Sequence, residues 1–207
     1  QGLGTEGLQD GDVIELTSDI ADGGITLNKN VTITSAEGST FTITASDAGQ
    51  SIFTISNGDD AAALDVTISN VILTGVNKTG GQGGAILVDD ASVSLTLEGA
   101  TFTDNVAQRG GGVYISDNSN GYSLTVTNST FDGNSVDGNP GAYNNGGGAI
   151  AAYDAAGTIT IKGSTFTGNY TGGFADVEGG GAIYQGNASS SMEIADSVFD
   201  ANYSDWG

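Results

Sequence analysis

Four times in this chain a Gly-Gly pair is followed, 19 or 20 residues later, by Phe-x-x-Asn. The pairs read GGAI at Gly83–Ile86 with FTDN at Phe102–Asn105, and GGVY at Gly111–Tyr114 with FDGN at Phe131–Asn134. They continue as GGAI at Gly147–Ile150 with FTGN at Phe166–Asn169, and GGAI at Gly180–Ile183 with FDAN at Phe199–Asn202. A motif that returns at such a period marks a stacked-repeat chain, in which each unit buries its apolar face only against its neighbours. The length from Gly-Gly to Phe is nearly constant, whereas the length from Phe-x-x-Asn to the next Gly-Gly varies. A scaffold of fixed circumference with variable loops at one corner follows.

The constant part alternates apolar and polar residues, as half-buried strands do. Tyr122-Ser123-Leu124-Thr125-Val126-Thr127 and Gly157-Thr158-Ile159-Thr160-Ile161-Lys162 are the clearest cases, and Ser94–Glu98 and Met192–Ala195 repeat them. No amphipathic helix of useful length is present. Each repeat therefore offers three short strands, one after Gly-Gly, one from the alternating segment and one carrying Phe. Strands that pair with their equivalents one turn on make an all-β, parallel β-helix, with equivalent residues about 4.8 Å apart. Phe102, Phe131, Phe166 and Phe199 should then stack inside, each burial contributing roughly 1.5–3 kcal/mol. Asn105, Asn134, Asn169 and Asn202 should form a second ladder at a bend, and the glycines a tight corner. Residues 1–76 read as earlier, less regular turns, with Leu73 standing in for Phe, and 77–207 as the four repeats. The expectation is one β-helix of about six turns, part of a longer surface protein.

Charge narrows the partners. Acidic residues number 25 against 4 basic ones, giving a formal charge of −21, with Lys29, Lys78, Arg109 and Lys162 the only cations. Nucleic acid needs clustered cations to release its counterions, so it is excluded as a partner, and anionic membranes are disfavoured likewise. No run approaches the roughly 20 apolar residues of a membrane-spanning helix, so no membrane insertion is expected. Without His or Cys, no Ser-His-Asp triad, Cys nucleophile or ordinary zinc site can be built. No cofactor is expected, with calcium the one ion that the aspartates could take up.

The paired motifs GGAI/FTDN, GGVY/FDGN, GGAI/FTGN and GGAI/FDAN resemble the repeats of chlamydial-type polymorphic outer membrane proteins. Those autotransporters carry GGA followed by Ile, Leu or Val, and FxxN, in passenger regions that are right-handed parallel β-helices and act in adhesion to host cells. The opening GDVIEL and GITLNKNVTIT resembles the first turn of pectate-lyase-like β-helix proteins. The resemblance implies an extracellular adhesin-like passenger on the bacterial cell surface, monomeric, non-enzymatic and bound to a host protein or glycan. The chain lacks the cysteines common in chlamydial members, which counts against disulfide-linked assembly.

Binding is expected in the variable segments Val106–Arg109, Ser135–Asn145 and Tyr170–Glu178, projecting from one corner on successive turns. Asn139, Tyr143, Asn144, Tyr170, Phe174 and Asp176 are the candidates, because aromatic and amide side chains recognise sugars and protein epitopes. A polysaccharide lyase, or its glycan-binding relic, is the enzymatic alternative; lyases of this fold pair calcium with an Arg or Lys base, and Arg109 near Asp104 is the one such candidate. A bare spacer is the third. The acidic doublets Asp59-Asp60 and Asp89-Asp90 are no chelate in themselves, since adjacent strand residues face opposite sides. Thr-x-Thr at Thr32–Thr34, Thr125–Thr127 and Thr158–Thr160 resembles a flat ice-binding face, but its irregular spacing and the charges interrupting it argue against that use.

Overall fold

Parallel strands cannot be joined by a tight hairpin, so a chain made only of short parallel strands must travel round before it pairs. That is the path here. The computed structural model describes residues 3, 7–46, 49–56, 58, 63–90, 92–119, 121–137, 146–172 and 179–205. Among them every element is a strand, and the pairings join each strand to its equivalent one turn on. Two sheets of seven strands and one of six run along the rod. The first sheet includes Val93–Glu98, Tyr122–Thr127 and Gly157–Lys162. The second includes Thr101–Thr103, Thr130–Asp132 and Thr165–Thr167, and the third Ile86–Val88, Val113–Ile115 and Ile150–Ala152. The expected three-stranded turn is thus present, with an addition. A corner sheet of five strands, Asn77–Gln82, Val106–Arg109, Ser135–Val136, Tyr170–Thr171 and Tyr203–Ser204, follows Phe-x-x-Asn in the later turns.

The interior is a set of rows. Phe102 pairs with Leu73 on one side and Phe131 on the other, and the row continues to Phe166 and Phe199. Successive rings lie 4.5, 4.8 and 4.7 Å apart between centroids and within 2° of parallel. Phe102, Phe131 and Phe166 are fully buried, and Phe199 is 43% exposed.

Two polar ladders turn the chain at either end of the second sheet. Asn134 Nδ2 donates to Phe102 O on the preceding turn (2.9 Å) and to Asn169 Oδ1 on the next (3.0 Å). Its own Oδ1 accepts from the backbone N and Nδ2 of Asn105. Asn105, Asn169 and Asn202 repeat the arrangement, so each amide bonds across turns and satisfies backbone that a sharp bend leaves unpaired. At the other corner Ser129, Ser164 and Ser197, each two residues before Phe, accept from the backbone N–H of Ala100, Ser129 and Ser164 respectively.

The glycine pair is a contact between backbones. A Cβ on Gly84 would lie 1.5 Å from Gly111 O, and one on Gly148 would lie 2.4 Å from Gly181 O. This register corrects the motif in the second repeat. Ile86 pairs with Val113, not Tyr114, so the equivalent pair is Gly110-Gly111 rather than Gly111-Gly112. The apolar side chain facing the core decides, and Val113 fills that row. Two extra residues between Ile115 and Tyr122 absorb the difference.

Candidate functional site

The corner sheet positions the variable segments. Its inward row, Ala107, Val136 and Thr171, is buried, while its outward row runs Asn77, Val106, Ser135, Tyr170 and Tyr203. Val106–Arg109, expected as a projecting loop, is therefore a paired strand, because Ala107 has a core position to fill. The described flanks of the two longer segments lie one above the other. Val136 pairs with Thr171 before they depart, and Gly146 pairs with Gly179 where they return. Buried Thr171 closes this base, its hydroxyl lying 3.2 Å from Gly146 O and 2.9 Å from Gly180 O.

Of the six candidate binding residues, Asn139, Tyr143, Asn144, Phe174 and Asp176 lie outside the described residues. Tyr170 is described, and it is exposed on the corner. Its ring stacks on Tyr203 at 5.8 Å, and its hydroxyl donates to Asp205 at 2.5 Å. That hydrogen bond, with partial burial and the charge of Asp205, pushes the phenol up to about 12 from 10.0. Tyr203 is 60% exposed. Tyr203 and Asp205 were not among the sequence candidates, yet the signal was present: Tyr follows Phe-x-x-Asn directly in both of the last two repeats.

A second aromatic group lies round the bend, on the outer side of the third sheet. Tyr114 occupies an outward row with Leu87, Ala151 and Tyr184, and is nonetheless buried. Arg109 Nη1 donates to the Tyr114 hydroxyl at 3.2 Å, and the guanidinium lies 4.1 Å from the centre of the Tyr153 ring. Burial raises the Tyr114 pKa, partly offset by Arg109. Arg109 is thus held between two tyrosines, a cation over an aromatic face. Only under the lyase alternative is Arg109 a base, with Asp104 nearby in sequence. Asp104 instead turns the Phe-x-x-Asn corner with φ of 54°, where Gly133 and Gly168 stand in the next turns.

The carboxylates are distributed rather than gathered. Asp89 accepts from Ser116 Oγ (2.6 Å) and Asn118 Nδ2 (3.0 Å), and the Asp90 backbone N donates to Ser119 Oγ. Asp59 and Asp60 lie outside the described residues. Among the described residues no three carboxylates come together as a metal site would require, and no helix is long and apolar enough to cross a membrane. A family model, Right handed beta helix region, matches residues 17–199. No curated protein and no solved structure matches the chain.

Proposed function

Because the chain belongs to the right-handed β-helix family, we propose that it is a rigid extracellular scaffold with an adhesive corner. On this reading it is an adhesin-like passenger segment of a longer protein on the bacterial cell surface, and it holds a host surface protein or glycan without turning it over. The observation that carries it is the exposed Tyr170–Tyr203 stack at the base of the two variable segments. A rigid pair of aromatic faces gives large contact area at small entropic cost, and loops on a fixed scaffold are where binding concentrates. Asp205 fixes the Tyr170 hydroxyl, so the platform is organised before any ligand arrives. Arg109, already occupied by Tyr114 and Tyr153, favours binding over a lyase reaction. Acidity elsewhere keeps such a rod soluble and self-repelling.

The test is retention on immobilised host glycans and surface proteins, for the wild type and for a Tyr170→Ala/Tyr203→Ala double variant. Retention lost in the variant, with the immobilised ligand intact, is the expected result. Equal retention by both proteins, or none by either, would remove the adhesive corner. Loss of glycan from the surface would favour the enzymatic alternative.

A further inference from the structure

The second sheet has an outer face that the corner does not use. Its outward residues fall in two rows. One runs Thr42, Ile72, Thr101, Thr130, Thr165 and Val198, the other Ala21, Thr44, Thr74, Thr103, Asp132, Thr167 and Asp200. Eight of these thirteen positions are threonine, and two carry charge, on a chain whose formal charge is −21. None is aromatic. Among the described residues none of the eight hydroxyls has a hydrogen-bond partner within the protein.

The inner side of the later turns is held in a regular stack. Neighbouring strands ordinarily twist by about 20–25° relative to one another, and untwisted sheets persist where side-chain ladders hold them. Here each phenylalanine ring on the inner side lies within 2° of parallel with the next from Phe102 to Phe199. The outer threonines therefore repeat at the ring spacing of 4.5–4.8 Å along the rod. Across each strand the two rows stand about 6.6–6.8 Å apart, two residues of strand rise. The result is an even two-dimensional grid of paired methyl and hydroxyl groups.

We propose that this face binds ice. Free hydroxyls on a fixed grid can anchor a layer of water with the same repeat, while the methyls between them spare that water competing bonds. A freezing front presents just such a planar, periodic partner. The two carboxylates here, Asp132 and Asp200, both stand in one row and leave the other uncharged, and a crystalline polysaccharide, the other flat periodic partner, finds no aromatic ring to stack on. The Thr-x-Thr strands singled out in the sequence lie on the first sheet. Their row Thr32, Thr67, Thr96, Thr125 and Thr160 runs on to Glu193, and Asp65, Glu98 and Lys162 interrupt the rows beside it. The second sheet has the cleaner grid.

The experiment is partition of the purified chain into slowly growing ice, together with inhibition of ice recrystallisation. Thr103→Lys/Thr130→Lys breaks the centre of the grid at outward positions, with circular dichroism checking the fold. Wild type should enter the ice and suppress recrystallisation, and the variant should fall to background. Tyr170→Ala/Tyr203→Ala should leave both readouts unchanged, which separates this face from the adhesive corner. Exclusion of the wild type from ice, or equal behaviour of the threonine variant, would overturn the proposal. Threonine-dependent retention on microcrystalline cellulose without ice partition would overturn it as well.

Discussion

Asn134→Ala removes the middle amide of the asparagine ladder, and the structure sets what it should cost. The side chain is fully buried and takes part in four hydrogen bonds across turns. Two groups keep a partner: Asn105 Nδ2 still reaches Leu73 O at 3.0 Å, and Asn169 Oδ1 still accepts from Asn134 N at 3.1 Å. Two lose this one: the Asn105 backbone N–H loses its acceptor, and the Phe102 carbonyl loses a donor. A buried N–H left unsatisfied costs about 1–3 kcal/mol and a lost hydrogen bond about 0.5–1.5, so a destabilisation of roughly 1.5–4.5 kcal/mol is expected. Asn202→Ala, on a half-buried last rung where water can replace the amide, should cost about 1 kcal/mol. Asn134→Asp keeps the shape but loses both donors and sets a carboxylate against Asn169 Oδ1. That places its folded pKa above the unfolded value, so the variant should be more stable near pH 4 than at pH 7, losing stability as pH rises through the window. Urea unfolding of the three variants, followed by circular dichroism, measures all of this. Equal losses for Asn134→Ala and Asn202→Ala, or a pH-independent Asn134→Asp, would refute the ladder as a cross-turn tie.

Phe131→Ala should cost about 3–5 kcal/mol in the same assay, and Phe131→Leu no more than about 1.5, since Leu73 already occupies that row. Gly84→Ala should lose more than about 4 kcal/mol and fail to accumulate as folded protein, because its Cβ would overlap the backbone of the next turn. Burial lowers the Lys78 pKa below 10.5, so the unfolded chain holds more protons in that window; stability should climb as pH rises toward 10.5, and Lys78→Met should flatten the climb. Tyr170 behaves oppositely: folded, it keeps its proton to about 12 rather than 10.0, so its contribution is lost as pH rises between those values. Ultraviolet titration should show late phenols, with Tyr114 and Tyr122 among them because burial raises both, and Tyr170→Phe should remove one of the late phenols.

The rows of phenylalanine and asparagine were legible because their offset within the motif is fixed and each has one position on the rung. The glycine pair of the second repeat was not. Three successive glycines, Gly110–Gly112, offer two alignments, and only the core tells them apart: Val113 fits the inward row that Ile86 and Ile150 define. Tyr203 could have been found from its place after Phe-x-x-Asn, but a single aromatic per repeat signals nothing until stacking pairs it with Tyr170. The threonine grid was hidden for a different reason. Thr101, Thr130 and Thr165 stand 29 and then 35 residues apart, a spacing that looks irregular along the chain. The surplus lies in the loop segments, and none of it enters the second sheet.

That separation bears on how one rod would carry the two faces proposed for it. In a stacked repeat each rung interacts mainly with its neighbours, and register is set where packing is tightest. Here Ser129 on Ser164 and Asn134 on Asn169 fix both ends of the second-sheet strand, with Phe131 stacked on Phe166 between them, directly before the chain enters the corner. Residues added or removed between Asp137 and Gly146 must then be taken up outside those two contacts, because Val136 and Gly146 are themselves held against Thr171 and Gly179. The corner segments can change length while Thr130 stays opposite Thr165. An outward grid that depends on even spacing can survive on such a chain only if loop variation is isolated from it in this way.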